Sequence, residues 1–508
     1  MDAKVIAAAQ AAFPAGNNIT LGAVVHKDEC DPHPIVGIPL SMMNRHGLIS
    51  GATGTGKTKT LQLLAEQLSN AGVPVFLADV KGDVSGIAAA GEASDRTTQR
   101  AKETGYNWHG AAAPVEFLSL SGKRGAQLRA TVSSFGPLLL SKILGLNDTQ
   151  TSVLTLVFKY CDDKQLLLLD FADLRAVLQY LSEEGAADLK DYGAISKQSV
   201  SVLLRQMVQL EMAGAAQFFG EPEFDLNDLI QFERDGRGLV SVLELSDVQD
   251  KPVLFSTFML WMLATLYNHL PEVGDADKPK LVFFFDEAHL LFKDASAALL
   301  DEVEKVVRLI RSKGVGIFFV TQNPRDVPQT VLGQLGHKVQ HALRAFTPDD
   351  EAAMKSAART FPKTDFYDVQ ETLTTLGIGE ALVTVLTAKG VPTPPFATRI
   401  VPPATRMGPL TDAELAQRTQ TSQVKKYAVA IDRESAREKL MARATGTTPS
   451  AAPSATSGPA AKPAPAAPSA WDSFINSPVV QQAARQAART ATSAITRGLM
   501  QSLMKSLK

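Results

Sequence analysis

A glycine-rich turn set between an apolar run and an amphipathic one, GLISGATGTGKTKTLQLL over 47–64, restricts this chain more than any other stretch. Gly51, Ala52, Thr53, Gly54, Thr55, Gly56, Lys57 and Thr58 match G-x-x-x-x-G-K-[ST] in full. The residues before the turn read as a short buried strand. After it, Leu61, Leu64, Ala65 and Leu68 recur at three- and four-residue spacing, and Gly72 stands where a helix would stop. Glycines let backbone N–H groups curl around a phosphate, and a helix starting near Lys57 points its positive dipole end at the same anion. Gly51 to Lys59 are therefore expected to hold a nucleoside triphosphate, with Lys57 on the β- and γ-phosphates and the Thr58 hydroxyl on Mg²⁺. The strand–turn–helix order also demands an α/β fold.

The length of 508 residues allows two or three domains, and 45% hydrophobic with 20% charged residues is ordinary for a globular protein. A formal net charge of −2 carries no global mark of nucleic-acid binding. Cys30 and Cys161 are the two cysteines, which excludes a disulfide framework. His26, Cys30 and His33 lie close together, but with no second ligand cluster they read as incidental. The N-terminus lacks the pattern of a secretory signal. The longest uncharged run, 252–271, contains Ser256, Thr257, Asn268 and His269 and reads as a buried core helix, not a membrane span. A cytoplasmic location is expected.

Along the chain, 1–45 reads as a short helix and extended lead-in, and 46–135 as the P-loop half of an α/β core. Residues 136–236 turn helical, as an insertion. Strand patterns return at 237–245, 280–289 and 315–324, separated by helices, so 237–400 is read as the second half of a mostly parallel sheet covered on both faces. A late hairpin strand near 380–395 would close it. A charged helical extension over 401–443 follows. Residues 444–470 are nearly all Ala, Pro, Ser, Thr and Gly and read as a disordered linker, before a C-terminal helix over 471–508.

LVFFFDEAHLL delivers two carboxylates at the C-terminal end of an apolar strand, where open α/β sheets place their chemistry. Asp286 is expected to hold Mg²⁺ and Glu287 to act as general base on the attacking water. The next strand ends in Gln322, placed to sense the γ-phosphate and orient that water. A glutamate in this position favours hydrolysis over phosphoryl transfer to a substrate hydroxyl. The letters DEAH also suggest a superfamily 2 helicase, but no Q-x-x-G-R-x-G-R stretch follows.

The order GATGTGKT, ADVKGD, FFFDEAHLL, RLIRSKGVGIFFVTQNP resembles the HerA/FtsK superfamily of P-loop motor ATPases. HALRAFTPDD and KKYAVAIDRESAREKL are similar to its HerA-like, YjgR-type branch. The resemblance, over about 15–443, implies a RecA-like (ASCE) core that assembles as a homo-oligomeric ring, typically hexameric, and typically moves double-stranded DNA. It also implies an arginine finger near Arg311, with Arg308 and Arg344 as alternatives.

Two functional classes fit these residues: a ring ATPase translocating on or remodelling DNA, and an oligomeric ATPase remodelling or scaffolding proteins. The tail is expected to dock through its stripe of Ile495, Leu499, Leu503 and Leu507 on the core, a partner protein, DNA or an anionic membrane surface.

Overall fold

The computed structural model describes residues 2–249, 251–274, 276–292, 297–344, 347–429, 431 and 433–445. The linker beyond Thr445 and the helix expected over 471–508 lie outside the described residues. Among the described residues, twelve strands form one sheet. In chain order they are β1 (Asn18–His26), β2 (Glu29–Pro39), β3 (Gly47–Ser50), β4 (Val75–Asp79), β5 (Val115–Ser119) and β6 (Ala126–Gln127). They continue with β7 (Val240–Glu244), β8 (Leu281–Phe285), β9 (Val315–Thr321), β10 (His337–His341), β11 (Glu380–Thr384) and β12 (Phe396–Ile400). The spatial order is β2-β1-β12-β11-β10-β3-β9-β8-β4-β7-β5-β6. From β10 to β6 every neighbouring pair is parallel. From β10 outward to β2 every pair is antiparallel.

The parallel strands are apolar throughout because both faces are covered. Val75 and Leu77 turn to one face, where Leu61, Leu64 and Leu68 of the helix Lys57–Asn70 pack. Phe76 turns to the other, with Phe283, Phe285 and Phe319. This period-2 alternation sorts one continuous run into two cores. The helices between β6 and β7 do not form a body of their own. Leu154, Leu174 and Leu203 join the Phe283 cluster, so the region read as an insertion is one layer of the main core. The uncharged run at 252–271 forms the helix Pro252–His269, with Phe258 and Trp261 buried in that layer. No helix among the described residues is long and apolar enough to cross a membrane.

Sequence periodicity did not disclose β10. HKVQH alternates no apolar residues, yet His337, Gln340 and His341 are buried. It lies beside β3 and carries the sheet from its parallel to its antiparallel part.

After β12 the chain runs back across the molecule. Ala404 and Thr405 N–H groups donate to Glu66 at 2.7 and 3.0 Å, and the Leu410 N–H donates to Ser85 Oγ. Tyr427 is buried against Phe224, and Ala436 N–H donates to the Leu167 carbonyl. The extension thereby ties the helical layer to the P-loop helix.

Candidate nucleotide site

β3, β9, β8 and β4 lie side by side and deliver the candidate site at their carboxyl ends. The turn after β3 needs its glycines: Gly54 and Gly56 have φ of 78° and 121°, in the left-handed region that L side chains avoid. A Cβ on Gly51 would stand 2.6 Å from His341 Cβ, and one on Gly56 would stand 3.3 Å from Gly379 Cα. The turn is thus walled by β10 and by the 377–380 turn, whose Gly379 N–H donates to the Thr55 carbonyl at 2.9 Å.

His341 is a buttress. Its Nδ1 must carry the proton, because it faces the Glu380 carbonyl at 2.8 Å, so Nε2 accepts from the Thr60 hydroxyl at 2.9 Å. Burial, aided by the charge of Lys57, holds the imidazole down at about 4, so it stays neutral. Lys57 Nζ donates to the Gly51 and Ala52 carbonyls at 2.7 and 3.0 Å and lies across the mouth of the turn.

Opposite the turn stands a group of acids. Asp79, Asp83 and Asp286 bring carboxylate oxygens within 4.8 Å of one another. Burial, then the charges of Glu287, Asp79 and Asp83, pushes the Asp286 carboxyl up to about 7. Burial, with Glu244 and Asp83, does the same to Asp79. Asp79 also organises the turn: its oxygens accept from Gly82 and Val84 N–H at 2.8 and 2.9 Å, which the positive φ of Gly82 permits. Asp83 is freer. Its Oδ2 lies 3.5 Å from the Thr58 hydroxyl, and its buried Oδ1 has no hydrogen-bond partner among the described residues. These hard, crowded oxygens fit a Mg²⁺ ion held by Thr58, Asp83 and Asp286.

Glu287 has a φ of 48° and a side chain 7% exposed. Burial acts to raise its carboxyl, but the Lys81 ammonium, paired with Oε1, holds it below the usual range. Gln322 Nε2 donates to the same oxygen at 3.4 Å and its Oε1 accepts from Thr53 at 3.2 Å. The structure therefore brings Gly51–Lys59, Asp286, Glu287 and Gln322 together. A cleft of about 650 Å³ lined by His289, Gln322 and Arg325 opens beside them.

The arginines separate. Arg308 lies in the last turn of the helix Ala297–Ile310 and Arg311 follows it, ahead of β9, while Gln322 lies after that strand. Seven strand residues span roughly 20 Å, so these two stand at the far edge of their own sheet. Arg311 accordingly acts electrostatically on His46, at the start of β3. Arg344 follows β10 on the carboxyl edge, where the Ala342 carbonyl accepts from Ala52 N–H. Sequence reasoning assigned no role to Asp83, Lys81 or His341. The first two were within view, in ADVKGD directly after a strand. His341 carried no signal.

A family model described as helicase HerA-like C-terminal matches residues 25–508. The chain belongs to that family. It is 20% identical over 371 residues to the DNA double-strand break repair helicase HerA of Sulfurisphaera tokodaii, covering 68% of this chain and 64% of that one. It is 26% identical over 154 residues to a probable helicase, MJECL08, of Methanocaldococcus jannaschii, covering 28% of each. The chain thus spans less than two thirds of these relatives. Its fold is similar to that of the bacterial conjugative coupling protein TrwBdeltaN70 in a trigonal form with sulphate. The TM-score is 0.50 at 15% identity, over 79% of this chain and 93% of that one. The RecA-like P-loop ATPase fold expected from the motifs is the fold observed.

Proposed function

We propose that this protein is a cytoplasmic, Mg²⁺-dependent ATP hydrolase that works as a ring motor on double-stranded DNA. The carrying observation is the convergence of the Gly51–Thr58 turn, Asp286, Glu287 and Gln322 at one carboxyl edge, with Glu287 hydrogen-bonded to Gln322. In this reading the N–H groups of Gly51 to Gly56 and Lys57 hold the phosphates, helped by Lys59 in the first helical turn. Thr58, Asp286 and Asp83 would hold Mg²⁺, which when bound neutralises charge on the β- and γ-phosphates. Gln322 orients a water, Glu287 takes its proton as the oxygen attacks the γ-phosphorus, and ADP leaves.

Placement of Arg308 and Arg311 at the far edge of their own sheet supports a ring, in which Arg311 serves a neighbouring subunit's site. Arg344, on the near edge, is the candidate for a role within its own subunit. DNA as the track is supported by relatives named as DNA double-strand break repair helicases. The domain limits inferred from sequence are kept as proposed boundaries, with 136–236 understood as a layer of the core.

The test is the ATPase rate with and without double-stranded DNA over a salt series. Stimulation that fades as salt rises is expected, because phosphate contacts release counterions. A rate indifferent to DNA at every salt concentration would favour protein remodelling instead.

A further inference from the structure

Lys81 has no part in the proposed hydrolysis, yet its ammonium is paired with the proposed base. It projects from the turn between Asp79 and Asp83, whose backbone is pinned by the Asp79 carboxylate and by Gln249, which donates to the Val80 carbonyl at 2.6 Å. Its ammonium pairs with Glu287 Oε1, which also accepts from Gln322. His289 Nδ1 lies 3.2 Å from the other oxygen. That oxygen makes no hydrogen bond among the described residues, so the latch is the Lys81 ammonium: a carboxylate paired with it is a weaker base toward water.

Of the two partners, Lys81 is the one able to move. Its side chain is 48% exposed against 7% for Glu287, and it has a flexible stem. Its charge is also felt by Lys57, so two ammonium groups lie within electrostatic reach of each other beside the P-loop turn. A terminal phosphate carries more charge than one carboxylate and draws a nearby ammonium correspondingly harder. ADP offers no such group.

We propose that Lys81 is a γ-phosphate-responsive switch: it holds Glu287 when no triphosphate is bound, and transfers to the γ-phosphate when one binds, releasing Glu287 to the attacking water. The proposal rests on the nucleotide reading of the site. It makes hydrolysis conditional on a filled γ-position, and it returns Glu287 to its latch once phosphate has left.

Calorimetric titration of the full-length protein with ADP and with AMP-PNP, both with Mg²⁺, tests it. In Lys81→Met, AMP-PNP should bind about tenfold more weakly, the loss of one charge-assisted contact, while ADP stays within about twofold of the parent. ATPase kcat should fall more than KM rises, and Lys81→Arg should recover most of the AMP-PNP preference. Glu287→Gln, which leaves Lys81 without its charged partner, should tighten AMP-PNP relative to ADP. Adding Lys81→Met to it should abolish that gain. Equal weakening of both nucleotides in Lys81→Met, or an unchanged ratio, would overturn the switch while leaving the nucleotide site standing. A parent protein that binds neither nucleotide would overturn both.

Discussion

In the proposed site Glu287 and Lys57 divide the work, and each touches different groups. Lys57 hydrogen-bonds to the Gly51 and Ala52 carbonyls of the turn, whereas Glu287 faces Gln322 and Lys81. Lys57→Ala should therefore abolish ATP binding, because the carbonyl-lined turn loses the cation that balances the phosphates. Glu287→Gln should keep ATP binding and lower kcat by roughly 10²-fold or more, the usual worth of a positioned base. Fluorescent-nucleotide binding alongside phosphate release separates the two. A Glu287→Gln protein that turns over at the parent rate would remove Glu287 from the chemistry.

Among the elements, the C-terminal extension and the P-loop helix meet at Glu66. Its carboxylate is 3% exposed and accepts from two successive N–H groups of the returning chain. Burial nonetheless dominates these bonds and pushes the carboxyl up to about 7. A raised acid binds its proton in the folded state after the unfolded chain has lost it, so stability falls as pH rises from about 4.5 to 7 and is level above. Between pH 5 and pH 8 the parent should lose about 2–3 kcal/mol relative to Glu66→Gln, which has nothing to titrate there. Urea unfolding of both proteins at the two pH values measures it. An unchanged difference would mean that the charge is accommodated at no cost.

At the scale of the whole molecule, Asp286, Glu287 and Gln322 stand at one edge of the sheet and Arg311 at the other. A single sheet cannot fold these edges together, so in the proposed ring Arg311 would complete a neighbour's site. Arg311→Ala and Lys57→Ala proteins, each inactive alone, should regain ATPase activity when mixed. In the proposed ring, a mixture would contain interfaces where an intact Lys57 faces an intact Arg311. Recovery of roughly a tenth of the parent rate would be ample, since an arginine finger is worth ~10³ or more in rate. Absence of recovery in subunits shown to exchange would move the finger to Arg344.

The P-loop, the strand carrying Asp286 and Glu287, and Gln322 at the end of the following strand were legible in the sequence. Each is a local pattern in which short-range sterics or an apolar run dictates the backbone, and β3, β8 and β9 formed where those patterns lay. The two-faced core was legible for the same reason, since LVFFF must be covered on both sides. Contacts between residues far apart in the chain were not. His341 supports the P-loop only because β10 lies next to β3, and polar HKVQH gives no sign of burial. Asp83 reaches Thr58 because the P-loop helix packs over β4, and Lys81 reaches Glu287 because β4 packs beside β8. The local rules of the chain determined which groups could do chemistry. The order of strands in the sheet decided which of them meet, because hydrogen bonds and charge act over a few ångströms, whatever the separation in sequence.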